Sequence, residues 1–81
     1  MHITVECFGA SQRWCGAAQV DLYLKLNASV ETALEALAQR YPEFAQRRER
    51  IAVAIGSSIV SVDCPLQPGD HIALIPPVSG G

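Results

Sequence analysis

The chain is poor in charged residues and has no basic run or long apolar run. Only 17% of its 81 residues are charged, and the formal net charge is −2. A nucleic-acid-binding surface needs a basic patch, and this charge balance argues against one. No apolar run approaches the roughly 20 residues that span a bilayer, and the first residues lack the pattern of a signal peptide. We therefore expect a cytoplasmic protein with neither a nucleic-acid nor a membrane partner.

Cysteine is also scarce, and its spacing excludes the common metal and redox motifs. Cys7, Cys15 and Cys64 form no Cys-x-x-Cys pair. An odd number of widely spaced thiols is typical of a reducing compartment, and neither histidine adds zinc-site spacing. Cys7 is expected to be a small buried hydrophobe. The sequence predicts no metal site and no catalytic Cys-His pair.

Alternating hydrophobicity predicts five short strands. They cover 3–7, 20–26, 51–55, 59–62 and 71–75. The last two are separated by a Pro-Gly pair that is typical of a type II turn. Each strand would therefore place one face on a core and the other toward water.

One main helix is predicted between the second and third strands. Its apolar residues recur at helical spacing over 30–41, with Ser29 as the N-cap and Pro42 ending the helix. Pro42 is expected to open a second, short helical turn through Arg48. Residues 9–18 are rich in Gly, Ser and Ala and are predicted to form a loop.

These elements predict a two-layer α+β domain, because the apolar stripe of the helix must be buried on the apolar face of a sheet. The element order is that of a β-grasp, or ubiquitin-like, fold with a mixed sheet of about five strands. Residues 1–76 would form this domain, and residues 77–81 would form a flexible, extended C-terminal tail.

The last six residues, Pro76-Pro77-Val78-Ser79-Gly80-Gly81, carry the predicted chemistry. A Gly-Gly end occurs by chance in roughly one sequence in 200 at ~7% glycine usage, so it is a weak signal alone. The two prolines stiffen the exit from the last strand, and glycines can enter a channel too narrow for side chains. ATP could then convert the Gly81 carboxylate into an acyl-adenylate that sulfide or an amine attacks.

Residues 52–81 resemble the MoaD-type small subunit of molybdopterin synthase, within the ThiS/MoaD family of ubiquitin-like sulfur carriers. The shared marks are the Pro65-Leu66 pair, the Gly69-Asp70 pair before an apolar strand, and the terminal hexapeptide. The thiazole-forming carriers end in Gly-Gly too, but they usually lack the double proline.

The resemblance implies a sulfur-donating protein that is not catalytic alone and binds no cofactor itself. A ubiquitin-activating-type adenylyltransferase would use ATP and Mg²⁺ to adenylate Gly81, and a sulfur donor would convert it to a thiocarboxylate. The tail from Pro76 through Pro77, Val78, Ser79 and Gly80 would insert into the large synthase subunit, in a heterotetramer. There the sulfur would be transferred to a cyclic pyranopterin precursor.

Several alternatives stay open at this point. Ile75 and Phe8 are partner-binding candidates, but either could pack within the domain, and Phe8 more readily caps the core. Trp14 is either an interface residue or a lid on the core. The basic cluster at 47–50 is a solvated face or a docking patch for an acidic partner.

The function also has alternatives. The chain could carry sulfur for thiamin, cysteine or tRNA, or it could be a ubiquitin-like protein modifier. It could also be a binding module whose Gly-Gly end is accidental.

Overall fold

The computed structural model describes residues 1–76, and the predicted tail over 77–81 lies outside the described residues. The strands are β1 (His2–Cys7), β2 (Gln19–Tyr23), β3 (Ala52–Ile55), β4 (Ser58–Val60) and β5 (His71–Ile75). The helices are α1 (Ser11–Cys15), α2 (Val30–Arg40) and α3 (Pro42–Arg47), and a 3₁₀ turn covers Arg48–Arg50. Among residues 1–76, no helix is long and apolar enough to cross a membrane.

The five strands form one mixed sheet in the order β2-β1-β5-β3-β4. β1 and β5 are parallel, and the other three neighbouring pairs are antiparallel. The predicted α+β fold with a mixed five-stranded sheet is confirmed. The parallel pair places the carboxyl ends of β1 and β5 at the same end of the molecule.

One face of the sheet, the inner face, is covered by the helices. It carries the alternate apolar side chains Ile3, Val5, Cys7, Val20, Leu22, Val53, Ile72 and Leu74, all at most 5% exposed. They share one core with the predicted stripe of α2 and with Phe44 of α3, which is fully buried. Burial of this kind supplies about 25 cal/mol per Å² of apolar surface.

The predicted loop over 9–18 is wrong in part, because residues Ser11–Cys15 form α1. Ser11 and Cys15, one helical turn apart, are buried, and Gly16 ends the helix in the left-handed conformation at φ 72°. Five residues have too little intrinsic helical stability to be recognised from composition. Tertiary burial of one face stabilises this turn instead.

Two strand boundaries and one cap also differ from the sequence-based expectations. β2 ends at Tyr23 rather than at residue 26, and Leu26 is 68% exposed. β4 covers 58–60 instead of 59–62. The Ser29 side chain makes no capping hydrogen bond to the backbone of α2. The second helix from Pro42 and the turn at Gly69, where φ is +85°, are confirmed.

Candidate functional site

The candidate site begins where β5 ends and the tail leaves the domain. Pro76 follows Ile75 directly and is half-buried. Cys7 is the partner of Leu74 in the parallel pair, so the turn after β1 lies at the same end of the sheet. Of the six predicted tail residues, the structure describes Pro76. The roles of Pro77, Val78, Ser79, Gly80 and Gly81 lie outside the described residues and stay predictions.

The outer face of the sheet, opposite the helices, carries an apolar patch at this end. In the sheet register, Ala52 lies opposite Ile75, and Ala54 lies opposite both Ala73 and Ile59. These five residues alternate with the buried inner residues of β3, β4 and β5, so they share the outer face. Ile59 is 65% exposed and Ile75 is 38% exposed.

Phe8 is a further exposed apolar residue at the same end of the sheet, just past the end of β1. It follows Cys7, which pairs with Leu74, and its side chain is 51% exposed. The expectation that Phe8 more readily caps the core is therefore wrong. The exposure of both Phe8 and Ile75 leaves them available to a partner, and their partner binding stays a prediction. We call Phe8, Ala52, Ala54, Ile59, Ala73 and Ile75 the apolar patch.

Four members of the apolar patch were not found from the sequence: Ala52, Ala54, Ile59 and Ala73. The sequence of β3 held a signal for this surface, because its small alanines alternate with larger apolar residues. The alternation indicates that both faces of the strand are apolar. The pairing of that face with β4 and β5 depends on strand register, which a single sequence leaves open.

The rest of the outer face, nearer the amino end of β1, is polar. His2 Nε2 lies 2.9 Å from Asp21 Oδ1, and the His2 ring stacks on Tyr23 with centroids 5.2 Å apart. Between β5 and β1, His71 Nδ1 lies 3.4 Å from Glu6 Oε1. The outer face is thus divided into the apolar patch and a polar half.

Two of the three cysteines, Cys7 and Cys15, are poorly suited to sulfur chemistry. Cys7 and Cys15 are buried beside one another. Burial, reinforced by the neighbouring Cys15, raises the pKa of Cys7 from 9.0 to about 12, and burial also raises the pKa of Cys15. A thiol held protonated is a poor nucleophile. Cys7 is thus a small buried hydrophobe, as expected.

The basic cluster at 47–50 is largely engaged within the chain. Arg47 donates to the Glu43 carbonyl oxygen at 3.0 Å and lies 5.1 Å from the centroid of the Trp14 ring. Arg48 donates to Glu31 at 3.2 Å. Trp14 itself packs against the core. These contacts favour a solvated face for the cluster and a lid role for Trp14.

Metal chemistry finds no support in the part of the chain that the structure describes. Across residues 1–76, no three side chains among His, Cys, Asp and Glu are grouped closely enough to hold a metal ion. The described part of the site is thus an exposed apolar surface at the end of the sheet where Pro76 follows β5.

Comparison with known proteins identifies relatives over the whole chain. A model of the ThiS family matches residues 5–81. The molybdopterin synthase sulfur carrier subunit of Mycobacterium tuberculosis is 28% identical over 82 residues, covering 100% of this chain and 99% of that protein.

Solved structures share the fold over their full length. Small archaeal modifier protein 1 of Haloferax volcanii superimposes with a TM-score of 0.90 at 26% identity, covering 100% of both chains. A chain from the complex of subunits 1 and 2 of the molybdopterin-converting factor of Helicobacter pylori gives a TM-score of 0.70 at 24% identity, again covering both chains completely. At that identity, the second likeness shows the shared fold.

Proposed function

The chain belongs to the ThiS family of sulfur carriers, and from this premise we propose that it is the sulfur-donating small subunit of a molybdopterin synthase. One observation carries the proposal beyond the family. The apolar patch adjoins Pro76, where the chain enters the Pro-Pro-Val-Ser-Gly-Gly end. The full-length similarity to the sulfur carrier subunit of Mycobacterium tuberculosis supports the choice of pathway.

In the proposed reaction, this chain supplies one carboxylate. The Gly81 carboxylate attacks the α-phosphorus of ATP in a ubiquitin-activating-type adenylyltransferase, which forms an acyl-adenylate and releases pyrophosphate. Sulfide from a sulfur donor then displaces AMP and leaves a thiocarboxylate. The large synthase subunit transfers this sulfur to a cyclic pyranopterin precursor. ATP and Mg²⁺ belong to the activating partner.

The domain provides recognition in this scheme. Phe8, Ile59 and Ile75 expose large apolar side chains that a partner surface can bury, and aromatic or large aliphatic anchors supply much of the energy of protein interfaces. Because the apolar patch adjoins the exit of the tail, docking would deliver the chain end to a fixed place. The complex of subunits 1 and 2 from Helicobacter pylori supports a large subunit as the partner.

Mass spectrometry tests the activation step. The full chain is incubated with the activating enzyme, ATP and a sulfur source, and the intact mass should rise by one oxygen-to-sulfur exchange. A chain lacking Gly81 should show no exchange while keeping the same circular dichroism spectrum. Persistence of the exchange without Gly81 contradicts the proposal.

Affinity capture tests the pathway. A stable complex with the large subunit of molybdopterin synthase is the expected outcome. Capture of a thiazole synthase instead would assign the carrier to thiamin synthesis and reject the molybdopterin proposal.

A second function, as a ubiquitin-like protein modifier, is favoured by one observation. The fold is very similar to that of small archaeal modifier protein 1 of Haloferax volcanii, which is named as a modifier. Conjugates joining Gly81 to lysine side chains, detected as branched peptides after proteolysis, would support this alternative. A thiocarboxylate without such conjugates supports the sulfur carrier.

A further inference from the structure

An open groove of about 450 Å³ lies between α2, the 3₁₀ turn and the connection that follows β4. Three apolar side chains, Leu34, Ile51 and Val62, line part of it. Leu34 is buried, Ile51 is half-buried and Val62 is 43% exposed, so apolar surface stays in contact with water here. Pockets that bind ligands commonly have volumes of about 300–1,000 Å³, and this groove falls in that range.

The other lining residues are charged, and most of them are acidic. They are Glu31, Glu35, Arg48 and Glu49. Arg48 donates to Glu31 at 3.2 Å and lies 4.0 Å from Glu35. Three carboxylates thus face one guanidinium, which leaves an excess of two negative charges. Arg50, the residue after Glu49, does not line the groove.

The carboxylates of the groove can accept further hydrogen bonds. The side chains of Glu31 and Glu35 are 49% and 58% exposed, and a carboxylate offers about four acceptor positions. Their contacts with Arg48 are of the exposed kind that contributes little to stability. A cation from outside can therefore share these two carboxylates with Arg48, or displace it at little cost.

Backbone hydrogen bonds fix one wall of the groove. The Val30 N–H, at the start of α2, donates to the Cys64 carbonyl oxygen at 2.9 Å. The next N–H, of Glu31, donates to the Val62 carbonyl oxygen at 2.9 Å. These bonds take the place of a side-chain cap on α2, and they hold the β4–β5 connection against the helix. The groove is thus formed without a partner.

The groove lies at the end of the sheet where Pro76 follows β5. Ala52 pairs with Ile75 in the antiparallel β3–β5 ladder, so Ile51, the residue before Ala52, lies at this same end. The groove opens on the helix-covered side, whereas the apolar patch lies on the outer face. A protein bound at this end of the domain can therefore reach either surface.

We propose that this groove, which we call the acidic groove, docks a basic segment of a protein partner in which an Arg or Lys lies next to an apolar side chain. The cation contacts Glu31 and Glu35, and the apolar side chain covers Ile51 and Val62. The excess negative charge selects a cation, and the apolar lining selects a peptide over a small polyamine. Arginine is enriched at protein interfaces for contacts of this kind.

NMR titration of the isotope-labelled full chain tests the proposal with three short peptides of equal length. The probe peptide alternates leucine with arginine and has blocked ends. One control peptide has serine in place of leucine, and the other has glutamate in place of arginine. The probe should shift the amide resonances of Glu35, Ile51 and Val62 and leave that of Ile59 unchanged.

The two control peptides should bind less well, for different reasons. The serine peptide should bind at least about threefold more weakly, the effect of losing roughly one buried methylene group. The glutamate peptide should leave the resonances of the acidic groove unchanged, because like charges repel.

Two variants separate the charged and apolar parts of the acidic groove. Glu35→Gln removes one charge at constant shape and should weaken probe binding about two- to fivefold at low ionic strength, and less in high salt. Glu43→Gln is the matched control, because Glu43 is exposed on α3 and does not line the groove. Val62→Ala should weaken binding of the leucine probe and leave that of the serine peptide unchanged.

Absence of shifts at the acidic groove, or shifts spread over the whole surface, would overturn the proposal. Equal weakening by Glu35→Gln and Glu43→Gln would do the same. If the serine peptide binds as well as the probe, the groove is a general cation site and the docking proposal fails. The inference goes beyond the proposed function, and its readout needs no activating enzyme, so either can fail without the other.

Discussion

The inner and outer faces of the sheet both carry apolar side chains, but their surroundings are opposite. On β5, Ile72 and Leu74 are fully buried under the helices, whereas their neighbour Ile75 is 38% exposed. On β4, Ile59 is 65% exposed. Apolar area stabilises a fold only where folding removes it from water. The inner residues therefore hold the domain together, whereas the large side chains of the apolar patch stay exposed, as the proposed docking surface requires.

Alanine substitutions at two adjacent residues of β5 should give the largest difference in the free energy of unfolding. Leu74→Ala removes buried methyl groups and leaves a cavity, so it should lower the free energy of unfolding by about 2–5 kcal/mol. Ile75→Ala, one residue further on the outer face, should cost much less. Urea unfolding of the two variants measures the difference. Equal losses would mean that the two faces are not distinct in stability.

The outer face should matter for binding instead. Ile59→Glu places a charge in the apolar patch and should weaken binding of the large synthase subunit by about 2 kcal/mol or more if Ile59 is an anchor. Isothermal titration calorimetry measures this change. Tyr23→Glu is the matched control, because Tyr23 is 78% exposed on the polar half. Equal weakening by both substitutions would argue against the apolar patch as the docking surface.

The buried thiol of Cys7 should make stability fall at alkaline pH. Its pKa is 9.0 in the unfolded reference and about 12 in the fold. The contribution of the protonated thiol to stability is fully present below pH 9 and is lost as the pH rises toward 12. The expected loss in the free energy of unfolding is about 1 kcal/mol near pH 10. Cys7→Ala should show a shallower decline in unfolding free energy between pH 9 and 11.

Val5→Ala is the control for that experiment. Val5 is fully buried on β1 and carries no ionisable group, so this variant should lose stability but keep the wild-type slope. If Cys7→Ala and the wild type decline in parallel, the core thiol does not govern the alkaline loss.

The polar half should give the smallest effect. Asp21→Asn weakens the contact with His2, whose side chain is 47% exposed while that of Asp21 is 63% exposed. Exposed pairs of this kind contribute about 0–1 kcal/mol. Both unfolding free energy and large-subunit affinity should therefore change by less than about 1 kcal/mol. A large loss of affinity would extend the docking surface across the whole outer face.

The amino-acid sequence alone determined the succession of the five strands and the main helix along the chain, and the apolar stripe of α2. Both follow from hydrophobic periodicity, which is a local property. The sequence also supplied the predicted chemistry of the C-terminus, because Pro76 and the terminal glycines are recognisable by residue type. The tail itself lies outside the described residues, so its predicted roles await experiment.

Only the tertiary structure decided which apolar residues face outward together. Ile59 and Ile75 lie 16 positions apart in the chain, and strand register brings both to the outer face. Phe8 was expected to cap the core more readily than to face a partner, yet its place past the end of β1 leaves it exposed. α1 was missed because its stability comes from burial of Ser11 and Cys15. Register, burial and contact depend on residues distant in sequence, and local patterns do not contain them.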